Sequence, residues 1–154
     1  MIHPRRSVLF MPGSNARALD KARNLPCDGV ILDLEDSVAP DAKPMARDQI
    51  AQAVAAGGFG KREIIIRINN LESPWWEDDL TMAAHAKPDG ILVPKISRPA
   101  DIKRLEERLR TLKADPGIVL WAMIESPLGV LSAQEIAATA RDGDKRLAGF
   151  VMGP

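Results

Sequence analysis

Residues 29–36 read Gly-Val-Ile-Leu-Asp-Leu-Glu-Asp, a short apolar run whose end carries three carboxylates. A run of this length, rich in large apolar side chains, is typical of a strand buried on both faces of a sheet. A second stretch of this kind, residues 63–69, reads Glu-Ile-Ile-Ile-Arg-Ile-Asn and also ends in polar side chains. Buried strands with polar groups at their carboxyl ends predict a parallel sheet whose chemistry lies along that edge.

The same pattern repeats along the whole chain, with longer segments of helical period between the strands. The predicted strands are residues 7–11, 29–34, 63–68, 90–94, 118–125 and 147–152. The predicted helices are residues 15–25, 43–57, 75–86, 99–113 and 128–141. Alternation of strand and helix predicts an α/β fold, because parallel strands need crossover connections. An open doubly wound sheet and part of a (β/α)8 barrel both fit, and the length of 154 residues alone favours the open sheet.

Composition excludes several classes of function. Lys and Arg together (21) equal Asp and Glu together (21), so no net field attracts nucleic acid or an anionic membrane. One cysteine permits no internal disulfide, and two histidines provide no Cys/His zinc spacing. The apolar runs are far shorter than the roughly 20 residues that span a bilayer, and residues 1–4 lack a signal-peptide core. We therefore expect a cytoplasmic protein with no nucleic-acid or membrane partner.

Ionisable side chains gather at the carboxyl ends of successive predicted strands. Because side chains alternate along a strand, we expect three pairs to share faces: Asp33 with Glu35, Arg67 with Asn69, and Met123 with Glu125. Carboxylates grouped with one arginine, without histidine or cysteine, suit Mg²⁺, which prefers oxygen ligands. Such an ion acts as a Lewis acid on a carbonyl or carboxylate, and arginine beside it suits a developing enolate oxygen.

Structural explanations compete with these chemical ones. An acidic residue after a strand, such as Asp36, is often a helix cap or an ion-pair partner. Glu125 follows a buried strand with no polar transition, so its ionisation requires a partner, which favours a function. Lys95 forms a Schiff base if it is desolvated, although ion pairing explains it equally. Residues 11–15 can bind phosphate through free N–H groups or merely cap the first helix, and Lys21 is either a further phosphate contact or a solvated lysine.

Five motifs, taken together, resemble a known family. They are residues 6–13, 32–40, 66–69, 93–95 and 124–129. They occur in the order seen in the citrate lyase beta subunit and malyl-CoA lyase branch of the HpcH/HpaI aldolase family. The resemblance implies a (β/α)8 TIM barrel and overrules the open sheet. Residues 1–154 would then be the N-terminal portion of a single lyase domain, holding about the first five and a half β/α units.

The resemblance also implies a reaction and roles for particular residues. Members of this branch carry out Mg²⁺-dependent cleavage or formation of a C–C bond between an acyl thioester and a 2-oxo acid; Mn²⁺ is a possible substitute. By this resemblance Glu125 is a catalytic metal ligand, and Arg67 is a catalytic residue that contacts the oxo acid or the enolate. Phe10 and Lys21 match substrate-binding positions. Glu35 and Asp36 match a supporting acidic shell.

The resemblance implies partners and leaves alternatives open. The expected partners are an acyl-CoA or acyl-carrier thioester, a 2-oxo acid, and further copies of the full-length protein in a homo-oligomer. A second metal ligand, an aspartate, is expected beyond Pro154, so residues 1–154 alone should lack lyase activity. Asn15 stands where malyl-CoA lyases can carry arginine, which removes one expected thioester contact. The alternatives are a Schiff-base aldolase using Lys95 and a non-catalytic binding or assembly module with a lyase-like fold.

Overall fold

The computed structural model describes residues 5–153 as six strands and six α-helices. The strands are β1 (Val8–Pro12), β2 (Gly29–Asp33), β3 (Glu63–Arg67), β4 (Gly90–Val93), β5 (Val119–Ile124) and β6 (Leu147–Met152). The helices are α1 (Ala16–Ala22), α2 (Lys43–Ala56), α3 (Trp76–Ala86), α4 (Pro99–Thr111), α5 (Pro127–Leu131) and α6 (Ala133–Ala138), with 3₁₀ turns at Pro40–Ala42 and Thr139–Arg141. No helix among the described residues is long and apolar enough to cross a membrane.

The strands form one sheet in the order β1-β2-β3-β4-β5-β6, and every neighbouring pair is parallel. A doubly wound sheet reverses its strand order at a switch point, whereas a barrel adds each strand beside the previous one. The order is therefore that of a (β/α)8 barrel, and the expectation from length alone, an open doubly wound sheet, is wrong. About five and a half strand–helix units are present.

Two apolar clusters cover opposite faces of this sheet. The larger cluster packs the helices onto the strands through side chains such as Leu32, Ile66 and Leu105. The smaller one lies on the other face and contains Ile31, Ile65, Leu92, Trp121 and Met123. Because side chains alternate, the residues two positions after Ile31 and Ile65 continue this second face to the carboxyl edge. These residues are Asp33 and Arg67.

The last predicted helix is broken in the structure. Residues 128–141 were expected to form one helix, but they divide into α5, α6 and a 3₁₀ turn, with the first break at Ser132. Ser126 caps α5 by accepting a hydrogen bond from the Gly129 N–H at 3.0 Å. A Cβ on Gly129 would lie 2.7 Å from the Ile96 carbonyl oxygen, so a glycine is needed for this close approach. That contact places α5 against the loop after β4.

Candidate functional site

Arg67 and Asp33 form a buried ion pair at the carboxyl edge of neighbouring strands. The register of β2 and β3 places the two residues directly opposite each other. Arg67 Nε donates to Asp33 Oδ1 at 2.6 Å, and Arg67 Nη2 donates to Asp33 Oδ2 at 2.7 Å. Burial disfavours ionisation of Asp33, but hydrogen bonds from Arg67, Ser37 and the Glu35 N–H outweigh it, so the pKa of Asp33 lies below its ordinary value. Two parallel bonds fix the plane of the guanidinium.

Glu35 lies on the remaining nitrogen of the same guanidinium. Its Oε2 is 3.0 Å from Arg67 Nη1 but without hydrogen-bond alignment, so this buried oxygen has no hydrogen-bond partner within residues 5–153. Lys95 Nζ lies 3.9 Å from Glu35 Oε1, and the exposed Asp36 lies 3.5 Å from Arg67 Nη1. Burial above all, with repulsion from Asp36 and Glu125, raises the pKa of Glu35 to about 7 despite Arg67 and Lys95. Glu35 therefore titrates near neutral pH.

The raised pKa of Glu35 predicts that stability falls with increasing pH. Between about pH 4.5 and 7 the unfolded chain loses the Glu35 proton first, so ionisation favours unfolding across this window. Glu35→Gln should remove that fall and raise the free energy of unfolding at pH 8 by up to about 3 kcal/mol, at 1.4 kcal/mol for each pKa unit. Urea denaturation at pH 5 and pH 8 without divalent metal measures this free energy of unfolding. Glu72→Gln is the control, since Glu72 is exposed in the loop after β3 and is not among the charges that shift the pKa of Glu35, and equal pH profiles in both variants would contradict the prediction.

Glu125 follows β5 and is held by the backbone of a neighbouring loop. The Lys95 N–H donates to Glu125 Oε2 at 2.8 Å. Lys95 has a φ of 58°, a left-handed conformation that is uncommon outside glycine. The same turn is closed by a bond of 3.2 Å from the Ile96 N–H to the Met123 carbonyl. The backbone after β4 is thus shaped to face the Glu125 carboxylate.

Glu125 offers a carboxylate oxygen, the kind of ligand that a hard cation prefers. A Cβ on Gly153 would lie 2.5 Å from Glu125 Cγ and 3.0 Å from its Oε1. Glycine at position 153 therefore keeps the space beside this carboxylate open. Within residues 5–153 no group of three or more His, Cys, Asp or Glu side chains is arranged to hold a metal. Mg²⁺ often takes only one or two protein carboxylates and completes its shell with water and substrate. Glu125 alone therefore fits as one ligand of such a site.

The structure brings most of the predicted site residues together and separates two of them. Phe10 lies beside the cluster, with the Arg67 guanidinium carbon 4.9 Å from the centre of its ring. Lys21 is exposed on α1 and makes none of these contacts in the described part of the chain. Asn69 was expected to share the face of Arg67, but β3 ends at Arg67 and Asn69 instead bonds to Lys43 and Asp79. The residues 11–15 loop is a helix start, because Asn15 accepts from the Ala18 N–H.

Sequence reasoning missed a buried polar group behind the site. Lys43 is 4% exposed and Asp79 is fully buried, although both types of residue are normally on the surface. A signal was present, since each lies in phase with a buried stripe. Lys43 precedes Ala46 and Ile50 of α2 by three and seven positions, and Asp79 falls between Trp76 and Leu80 of α3. Helical phase predicts that such side chains point inward.

Comparison with known proteins agrees with this geometry. Residues 6–154 match the family model for HpcH/HpaI aldolase/citrate lyase. A (3S)-malyl-CoA thioesterase of Cereibacter sphaeroides is 43% identical over 151 residues, which cover 98% of this chain and 49% of that protein. An L-malyl-CoA/beta-methylmalyl-CoA lyase of Cereibacter sphaeroides is 35% identical over 144 residues, 89% of this chain and 45% of that protein. The chain spans about half the length of these curated relatives.

A solved structure shares the fold. The citrate lyase beta subunit from M. tuberculosis, complexed with oxaloacetate and magnesium, superposes with a TM-score of 0.73 and 28% identity, covering 95% of this chain and 56% of that one. The sequence match extends from Arg6 through the Arg67 cluster and Glu125 to the last residue. This chain therefore belongs to the HpcH/HpaI aldolase/citrate lyase family.

Proposed function

We propose that the protein is a Mg²⁺-dependent carbon–carbon lyase acting on a 2-hydroxy acyl thioester of the malyl-CoA or citryl type. The products are an acyl thioester and a 2-oxo acid. The main support is the Arg67 guanidinium, which Asp33 and Glu35 fix at the carboxyl edge of the sheet, where Glu125 also lies. We further propose that residues 1–154 are the first part of a barrel whose other strands, and an aspartate ligand, lie outside them. The exposed apolar side chains of the edge strand β6, Phe150 and Met152, suit such closure.

The chemistry requires charge stabilisation on both sides of the breaking bond. Loss of the substrate hydroxyl proton makes that oxygen a carbonyl, and the electrons of the broken C–C bond pass to the thioester as an enolate. A bound Mg²⁺, held by Glu125, supplies Lewis acidity toward oxygens of the 2-oxo acid portion. Arg67 presents a fixed cation to the developing enolate oxygen, and preorganised charge of this kind needs no reorientation during reaction. The Phe10 ring packs on the guanidinium, where a cation over an aromatic face is favourable.

The name of one relative favours a second candidate, hydrolysis of the thioester. Malyl-CoA, given to the full-length protein, separates the two reactions. Cleavage of the C–C bond releases a 2-oxo acid, which phenylhydrazine traps, and leaves the thiol esterified; hydrolysis releases free thiol and no 2-oxo acid. We expect the 2-oxo acid to appear first and to require Mg²⁺. Free thiol alone would support the thioesterase, and neither product from malyl or citryl thioesters would support a non-catalytic module.

The Schiff-base alternative finds little support in the environment of Lys95. Its side chain is 59% exposed and lies near the Glu35 carboxylate. A Schiff-base lysine is activated by desolvation or by a neighbouring cation, whereas the largely exposed Lys95 has a carboxylate as its partner in salt-bridge range. Borohydride trapping with substrate tests this directly, and we expect no covalent adduct at Lys95.

The space beside Glu125 gives a further testable prediction. Gly153→Ala places a methyl group against the Glu125 side chain and should displace its carboxylate, lowering kcat/KM at least about tenfold, since small misplacements at a reacting centre are costly. Gly149→Ala is the matched control, because a Cβ on Gly149 of β6 meets no atom of residues 5–153 within 4 Å. Steady-state kinetics of both variants check the prediction. Equal losses in the two variants would show that the space beside Glu125 is irrelevant.

A further inference from the structure

Lys43 is a buried cation at the start of α2. Its Nζ donates to the Leu34 carbonyl at 2.8 Å, to the Glu35 carbonyl at 3.1 Å and to Asn69 Oδ1 at 2.7 Å. These three bonds use all the protons of an ammonium group. Within residues 5–153 no carboxylate oxygen lies in salt-bridge range of Nζ, although Nζ lies 4.9 Å from the centre of the Trp75 ring. Burying a charge is costly unless it is fully hydrogen-bonded, and Lys43 meets that condition.

Asn69 extends this contact to two helices. Its Nδ2 donates to the Leu34 carbonyl at 3.0 Å and to Asp79 Oδ2 at 2.6 Å, and its backbone N–H also donates to Asp79 Oδ2. Arg47 of α2 completes the group by donating to Asp79 Oδ1 at 2.9 Å. The buried Lys43, Asn69 and Asp79 and the partly exposed Arg47 therefore form one network, which joins α2, α3 and the backbone just after β2 and β3.

The network lies directly behind the Arg67 cluster. Lys43 holds the carbonyl of Glu35, whose carboxylate contacts Arg67, and it also holds Asn69, which follows Arg67 by two positions. Both sides of the Glu35–Arg67 contact are thus tied to one ammonium group. Without that group the segment after β2 would keep the Asn69–Leu34 bond and the backbone bond of 2.9 Å from the Leu34 N–H to the Arg67 carbonyl, and neither of these bonds holds Glu35.

We propose that Lys43 is a positioning residue, which sets the alignment of Arg67 with Glu35 by fixing the loops after β2 and β3 to each other. Its catalytic consequence rests on the proposed function. The alignment itself does not, and it can be measured without substrate. The Nε–H of Arg67, which donates to buried Asp33, gives a protein NMR signal that is assigned by its disappearance in Arg67→Lys.

The test compares Lys43→Met with Arg146→Met. Arg146 is a matched control because its buried guanidinium also bonds backbone carbonyls, those of Asp115, Ile118 and Ala114, but at the opposite edge of the sheet. We expect Lys43→Met to speed solvent exchange of the Arg67 Nε–H at least about tenfold and to lower kcat/KM at least about tenfold. Arg146→Met should lower thermal stability without either effect.

The outcomes separate this inference from the proposed function. Equal Arg67 exchange rates in Lys43→Met and Arg146→Met would overturn the positioning role. Absence of lyase turnover in the full-length protein would overturn the proposed function, while the exchange comparison would still decide the role of Lys43. If Lys43→Met does not fold, Asn69→Ala removes one of the three acceptors and is measured in the same way. Faster Arg67 exchange in Asn69→Ala supports the inference, and an unchanged rate overturns it.

Discussion

Glu125→Gln is expected to abolish lyase turnover, with a loss of at least about a thousandfold in kcat/KM, or about 4 kcal/mol of transition-state stabilisation. Glutamine has nearly the same shape, and its amide oxygen can still accept the Lys95 N–H bond, so the loop after β4 keeps its contact. What is removed is the negative charge that a divalent cation needs from this ligand. Glu125→Gln should therefore remove the charge at this position without altering the fold.

Two measurements check the Glu125 prediction. Calorimetry with Mg²⁺ alone should show binding to the full-length protein and none to its Glu125→Gln variant, and the malyl-CoA assay should show the same contrast. Glu72→Gln serves as control, since Glu72 is an exposed carboxylate in the loop after β3. Full activity of the unaltered protein in excess chelator would contradict the metal role, and turnover by Glu125→Gln would contradict the choice of ligand.

The strands and the acidic edge were predictable because two simple regularities coincide. Each strand is a short apolar run, and each polar group at its end marks where the chain leaves the buried sheet. Parallel strands bring those ends to one edge, so the meeting of Asp33, Glu35 and Arg67 followed from spacing. Composition and spacing did not decide between an open sheet and a barrel. Strand order is a long-range property, and only the resemblance anticipated it.

Two errors have a different origin. Asn69 was assigned by strand alternation, yet β3 ends at Arg67, and beyond that point alternation no longer predicts direction. Lys43 and Asp79 were overlooked because charged residues are rarely buried. Both are buried because Asn69 bonds to each of them, to Lys43 on α2 and to Asp79 on α3, and no local pattern couples two helices that are separated by a strand. Pairing of this kind is seen only once the chain is folded.

Arg67→Lys is expected to lower kcat/KM at least about tenfold, or about 1.4 kcal/mol, although the positive charge is kept. The guanidinium donates to both oxygens of Asp33 while its third nitrogen meets Glu35, and a single ammonium group cannot reproduce that fork. An ammonium that stays with Asp33 leaves Glu35 and the substrate without their contact.

A second bidentate pair in the same chain provides the control for Arg67→Lys. Arg5 donates to both oxygens of Glu63 at 2.6 and 2.8 Å, at the amino end of β3, far along the strand from Arg67. Arg5→Lys loses the same planar fork and should leave kinetics within about twofold, because exposed ion pairs contribute little and this one lies away from the reacting edge.

If both variants keep normal kinetics, Arg67 only stabilises the fold. If both lose activity equally, the effect comes from general loosening of the barrel. A loss confined to Arg67→Lys means that the orientation of this guanidinium, and not its charge alone, is what the reaction uses.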